Sequence, residues 1–116
     1  MNKIIKIGDI DFNLTSSVLS IIKYKQLFGA DVYRDIAKIG QDKEDIYESV
    51  EVATKCLYVL SLPNLEKNVS YEDFLSTLPV DLFINENNIQ KLIDIFSMFV
   101  TTSSNNKNDK TPALKQ

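Results

Sequence analysis

The chain has 116 residues, 44% of them hydrophobic and 25% charged, which suits one domain with an apolar core. Its net charge is −3 and its lysines are scattered among carboxylates, so it lacks the basic face of a generic nucleic-acid-binding protein. It has no histidine and one cysteine, Cys56, which excludes histidine-dependent triads, histidine-containing zinc sites and intrachain disulfides.

The N-terminal residues predict a β-hairpin. Residues 3–14 alternate between apolar and polar side chains in two runs, which are separated by a two-residue turn at Gly8 and Asp9. Ile5 and Ile7 share one face of the first run, and Ile10, Phe12 and Leu14 share one face of the second. Because an isolated hairpin is marginal in water, we expect this apolar face to pack on helices.

Two helices are predicted to meet at Gly29. The hydroxyls of residues 15–17 can cap a helix that runs to Phe28, and glycine suits the left-handed position after a helix. Asp31 can cap a second, short helix ending at Gly40. The first helix has a broad apolar side, with Tyr24 nearby, formed by Val18, Ile21, Ile22, Leu27 and Phe28.

The longest helix is predicted after the acidic residues of 41–45, which favour the positive end of a helix dipole. Its apolar residues recur at helical spacing over four turns and form one stripe. The stripe consists of Ile46, Val50, Ala53, Leu57 and Leu60. Pro63 and Asn64 mark the end of this helix.

Two further helices are predicted before a polar C-terminal segment. Ser70 and Asp73 can cap a helix through Leu78, which Pro79 stops, and the final helix begins near Glu86. The predicted core stripe of the final helix is Ile89, Leu92, Ile93, Phe96, Phe99 and Val100. We therefore predict an α+β, mostly α fold, in which a small N-terminal hairpin packs on about five helices.

The predicted organisation is one domain over residues 1–102 and a flexible tail over 103–116, since the tail has little apolar surface to bury. No run of 18 apolar residues is present, and the N-terminal stretch is too short and interrupted for a signal peptide. We expect a cytosolic protein without a membrane partner.

No catalytic, cofactor or metal site is predicted. Cys56 lies beside the stripe of the long helix and is interpreted as a small core residue. The three glycines are too far apart for a phosphate-binding loop, and the carboxylates of 42–45 lack the pattern of a calcium loop. A non-enzymatic protein is therefore expected.

A partner site is predicted on the final helix. Ile95 and Met98 lie one turn apart and off its predicted core stripe, with Ile84 just upstream. Either this helix is buried on nearly all sides or it carries a second apolar patch, and since burying a helix all round is hard in a chain this small, we expect an exposed patch. Self-association through this patch is also expected. A second candidate rim surrounds the Gly29 corner and consists of Tyr24, Phe28 and Tyr33.

The order of elements resembles the tail assembly chaperones of siphophages and prophages of Gram-positive bacteria. The resemblance covers residues 1 to about 100 and rests on apolar spacing, a Phe-Gly step and a Leu-Tyr pair. The matching segments are "IIKIGDIDFNLTSSV", "KYKQLFGADVYRDI", "DIYESVEVATKCLYVLSL" and "NVSYEDFLSTLP".

The resemblance implies a non-enzymatic protein of the host cytoplasm that is absent from the finished virion. Such a chaperone binds the long tape measure protein, keeps its apolar helices soluble and helps to recruit tail tube subunits. Family members often have a longer form made by a translational frameshift, for which the segment after Val100 is a natural place.

A small transcriptional or anti-host regulator of a mobile element is the alternative hypothesis. Its recognition helix would be "NENNIQKL" at 85–92, because asparagine and glutamine side chains can read bases. The charge of this segment is balanced, which disfavours phosphate contacts.

Overall fold

A two-stranded hairpin precedes five α-helices in the computed structural model, which describes residues 1–41, 46–66, 68–83 and 88–100. The elements are β1 (Asn2–Ile7), β2 (Ile10–Thr15), α1 (Val18–Phe28), α2 (Val32–Gln41), α3 (Ile46–Ser61), α4 (Tyr71–Ser76) and α5 (Ile89–Val100). The predicted α+β, mostly α fold is thus confirmed. Residues 42–45, Ile84, Glu86 and the predicted tail lie outside the described residues.

The hairpin has the predicted register and the predicted buried face. Strands β1 and β2 are antiparallel, with Ile7 opposite Ile10 across the Gly8–Asp9 turn, where Gly8 has a φ of 63°. The side chains of Ile5, Ile7, Phe12 and Leu14 are buried, and that of Ile10 is partly buried. The apolar face therefore lies on the helices, as a marginal two-stranded sheet requires.

The break between α1 and α2 also forms as predicted. Gly29 adopts a left-handed conformation with a φ of 66°, and its N–H donates to the carbonyl of Lys25 at 2.8 Å. The carboxylate of Asp31 accepts from the N–H of Tyr33 at 2.9 Å, which caps α2. This corner directs Val32 into the core, where it is almost fully buried.

Helix α3 is the centre of the fold. It contacts β2 and each of α1, α2, α4 and α5. Ala53, Leu57 and Leu60 of the predicted stripe are buried, and Val50 is partly buried. A short 3-10 helix, Leu62–Asn64, ends α3 at the predicted proline.

The C-terminal end of α4 differs from the prediction, and the predicted start of the final helix near Glu86 lies outside the described residues. Ser70 caps α4 as expected, accepting from the N–H of Asp73 at 3.1 Å, but the helix ends at Ser76 and not at Leu78. The described α-helical part of α5 begins at Ile89. Across the described residues, no helix has the length and apolar character that crossing a membrane would need.

Candidate functional site

The buried side of α1 is not its aliphatic side. Ser20, Tyr24 and Phe28 are spaced four residues apart and face the core, with Ser20 and Tyr24 almost fully buried. The hydroxyl of Ser20 donates to the carbonyl of Thr15 at 3.3 Å and accepts from the N–H of Ser17 at 3.1 Å. These local bonds allow a polar residue to face inward at little cost.

Tyr24 is therefore a core residue, and its predicted place on a binding rim is wrong. Its ring makes an edge contact with Phe28 at a centroid distance of 5.2 Å. Its hydroxyl donates to the carboxylate of Asp35 at 2.7 Å, which satisfies the only polar atom of the side chain. Burial, followed by the hydrogen bond to Asp35, raises the pKa of the Tyr24 hydroxyl well above its ordinary value.

Three aliphatic side chains in the first half of α1 point into solvent, whereas Ile21 packs partly buried against the core. Val18 is 72% exposed, Leu19 is 53% exposed and Ile22 is 45% exposed. Ile22 lies four residues after Val18 and three residues after Leu19, so it is the surface neighbour of both. We call these three side chains the α1 ridge.

A groove runs along one side of the α1 ridge, between α1, α2 and α5. It has a volume of about 310 Å³. Its walls are Met1, Ser16, Ser17, Val18, Ile21, Tyr33, Met98 and Phe99. The hydroxyl of Tyr33 donates to the carbonyl of Phe99 at 2.9 Å and so joins α2 to α5. We call this the Tyr33 groove.

A second groove lies on the other side of the α1 ridge, between α1 and the end of α3. It has a volume of about 200 Å³ and shares Ser17 with the Tyr33 groove. Its walls are Ser17, Leu19, Ser20, Lys23, Val59, Leu62 and Pro63. We call this the Pro63 groove. The α1 ridge is thus a raised apolar strip with a depression on either side.

Helix α5 is turned relative to the predicted orientation. Ile95 is fully buried and Met98 is 3% exposed, so the prediction that they form an exposed patch is wrong. Apolar residues surround most of this helix, and its packing against α3 and β1 selects the face that carries Leu92, Ile95 and Phe99.

The predicted core stripe of α5 is only partly buried. Leu92 and Phe99 are buried as predicted, and other members of the stripe are not. Ile93 is 57% exposed and Val100 is 48% exposed, while Phe96 lies partly buried between them. Their spacing of three and four residues forms one continuous line on the helix. We call Ile93, Phe96 and Val100 the α5 stripe. The final helix therefore carries more apolar residues than its core face requires, but the exposed ones are not those that were predicted to be exposed.

The structure brings only part of the predicted site together. Met98 and Tyr33 line the same groove, although Met98 contributes little exposed surface. Phe28 lies elsewhere, in edge contact with the ring of Tyr71 at 4.9 Å. Ile84 is outside the described residues. The α1 ridge was missed because Val18 and Ile22 were assigned to the apolar side of the helix by their hydrophobicity, and Leu19 was not singled out.

Cys56 is a core residue, as its position beside the α3 stripe indicated. Its side chain is fully buried, and burial raises the pKa of its thiol. Within the part of the chain that the structure describes, no group of three or more cysteine, aspartate or glutamate side chains is placed to hold a metal ion.

Asn88, one of the side chains proposed to read bases, has a structural role. It is buried, its side-chain oxygen accepts from the N–H of Gly8 at 3.3 Å, and its amide donates to the carbonyl of Leu82 at 2.8 Å. Both ends of the amide are therefore occupied within the fold. The regulator hypothesis loses this residue as a contact to DNA.

Comparison of the chain with protein-family models, curated proteins and solved structures finds no match.

Proposed function

We propose that this protein is a tail assembly chaperone of a phage or prophage, which binds apolar helical segments of the tape measure protein. The observation that carries the proposal is the α1 ridge, where three large aliphatic side chains stand in solvent between two grooves. An apolar strip of this kind usually marks a surface that another protein covers.

The shape of this surface suits a helix. Side chains on a helix form ridges, and helices pack by placing the ridges of one into the grooves of the other. A partner helix lying on α1 would place its side chains in the Tyr33 groove and the Pro63 groove. The side chain of Ile22 would in turn lie in a groove between the side chains of the partner helix. Amphipathic helices are commonly recognised in this manner, with anchors spaced three and four residues apart.

The remaining parts of the proposal follow from the resemblance to tail assembly chaperones. The protein acts in the cytoplasm of the bacterial host during tail assembly and is absent from the finished virion. The tail tube protein is a second partner. The function is non-enzymatic, and its basis is the burial of apolar helix faces that would otherwise aggregate.

The test is solubility of the tape measure protein encoded in the same genome, co-expressed with this chain. With the natural chain we expect its helical segments in the soluble fraction. Val18→Asp combined with Ile22→Asp should remove most of that effect, because both side chains are exposed and the change leaves the core intact.

Val80→Asp is the matched control, since Val80 is 95% exposed and lies away from both grooves. It should keep the partner soluble. If the α1 double variant performs as well as Val80→Asp, binding through the α1 ridge is disproved.

Self-association is proposed through the α5 stripe. The neighbouring polar positions Gln90 and Ser97 are uncharged, so two copies could pack these helices together without opposing like charges. Ile93→Asp should shift the sedimentation of the protein toward the monomer at a given concentration. Gln90→Asp, which adds the same charge at an exposed neighbour, should have a smaller effect. An unchanged distribution for Ile93→Asp would exclude this surface.

A further inference from the structure

The edges of the α1 ridge are positively charged. At about 100° per residue, the exposed lysines Lys23 and Lys25 fall on opposite sides of the ridge. Lys23 also lines the Pro63 groove. Helix α1 contains no aspartate or glutamate, although the whole chain has a net charge of −3. The apolar strip is therefore bordered by a local charge opposite to that of the protein.

These two lysines have no ionic partner among the residues that the structure describes. The ion pair found there joins Lys55 to Glu51 on α3, at 3.5 Å. The charge of Lys23 and Lys25 is thus available to a partner. A second copy of this chain fits poorly, because a symmetric contact between two α1 helices would bring the same lysines together.

The Tyr33 groove contains a polar group that also lacks a partner. Ser16 lines this groove and is 7% exposed, and its hydroxyl makes no hydrogen bond within the described residues. A buried hydroxyl without a partner is unfavourable. Rotation about its Cα–Cβ bond moves the hydroxyl between staggered positions, so a group entering the groove can recruit it.

We propose that the occupant of this surface is an amphipathic helix with acidic residues flanking its apolar stripe and one hydrogen-bonding side chain within the stripe. The apolar stripe covers the α1 ridge, the acidic flanks pair with Lys23 and Lys25, and the polar side chain bonds to the hydroxyl of Ser16. This inference rests on the proposed function and names the partner chemistry.

The experiment uses the full chain and two synthetic helical peptides that share a leucine stripe containing one asparagine. One peptide has glutamate flanks and the other has lysine flanks, and binding is followed by fluorescence anisotropy. We expect the glutamate peptide to bind about threefold to tenfold more tightly, as two exposed charge pairs allow. The difference should shrink in about 1 M salt, where the Debye length is about 3 Å.

Charge reversal on the protein tests the same pairing. Lys23→Glu with Lys25→Glu should invert the preference between the two peptides. Lys3→Glu with Lys6→Glu is the matched control, because it changes the net charge equally on exposed residues of β1 and should retain the preference for glutamate.

Ser16→Ala tests the hydrogen bond in the Tyr33 groove. It should weaken binding of the glutamate peptide about twofold to tenfold without lowering the melting temperature of the free protein. Ser61→Ala is the control, since the hydroxyl of Ser61 is also buried and has no hydrogen-bond partner among the described residues, but Ser61 lies outside both grooves. Equal affinities for the two variants would overturn the role of Ser16.

The outcomes separate this inference from the proposed function. If the two peptides bind equally well, the preference for acidic flanks is disproved, whereas the proposal that this surface binds a helix is retained. If neither peptide binds, the inference about the partner's chemistry is overturned, and the co-expression test with the tape measure protein decides the proposed function separately. If the peptide is displaced as the protein self-associates at higher concentration, a second copy occupies the surface and the inference is overturned.

Discussion

Replacing Ile95 and Met98 together by aspartate is expected to unfold the protein. Both side chains belong to the core cluster, and they lie one turn apart, so the change places two neighbouring carboxylates in an apolar interior. A buried, unpaired charge costs several kcal/mol, and a typical domain is stable by only about 5–15 kcal/mol. Circular dichroism should show loss of helix and no cooperative thermal transition.

The matched control places the same two charges on the exposed side of the same helix. Ile93→Asp with Val100→Asp should retain the helical spectrum, because both side chains are half exposed. The opposite result would be a folded variant with aspartate at Ile95 and Met98 and an unfolded control. It would mean that α5 has the orientation predicted from the sequence.

Leu57→Ala is expected to produce a large loss of stability. Leu57 is fully buried in the helix that contacts all the other helices. The lost apolar contacts and the remaining cavity should lower the free energy of unfolding by about 2–5 kcal/mol. For a domain of this size, that loss corresponds to a fall in melting temperature of roughly 10–25 °C.

Tyr47→Ala on the same helix serves as the comparison. Tyr47 is largely exposed, so its truncation removes little packing and should alter stability by about 0.5 kcal/mol or less. Urea unfolding of both variants measures the difference directly. Equal midpoints for the two variants would show that Leu57 is not in the core.

The features that were predictable from the sequence are fixed by local chemistry. The register of the hairpin follows from the two-residue turn at Gly8 and Asp9, and the α1–α2 break follows from the left-handed conformation that glycine adopts easily at Gly29. The α3 stripe was identifiable because one side of that helix is consistently more apolar than the rest.

The orientation of α1 could not be read from hydrophobicity. Its core side consists of Ser20, Tyr24 and Phe28, and two of these carry hydroxyls that find partners only in the folded chain. The Asp35 partner of Tyr24 lies across the Gly29 corner. Valine and isoleucine are more hydrophobic than serine and tyrosine. A prediction based on hydrophobicity therefore assigns the exposed side of this helix to the core.

The orientation of α5 was ambiguous for a different reason. Apolar residues occupy so much of its circumference that two stripes satisfy helical spacing, one with Ile93 and one with Ile95. Contacts with α3 and β1 decide between them, and these are long-range features of the fold. The prediction that α5 carries exposed apolar residues in addition to its core face was correct, but the residues predicted to be exposed were the wrong ones.

The most direct test of partner binding through α1 is a methyl NMR titration of the full chain with a soluble, helical tape measure segment. The methyl signals of Val18, Leu19 and Ile22 should shift or broaden as the partner is added, whereas those of Val80 should stay unchanged. If Val80 or the α5 stripe responds and the three α1 residues do not, the partner binds elsewhere and the account is contradicted.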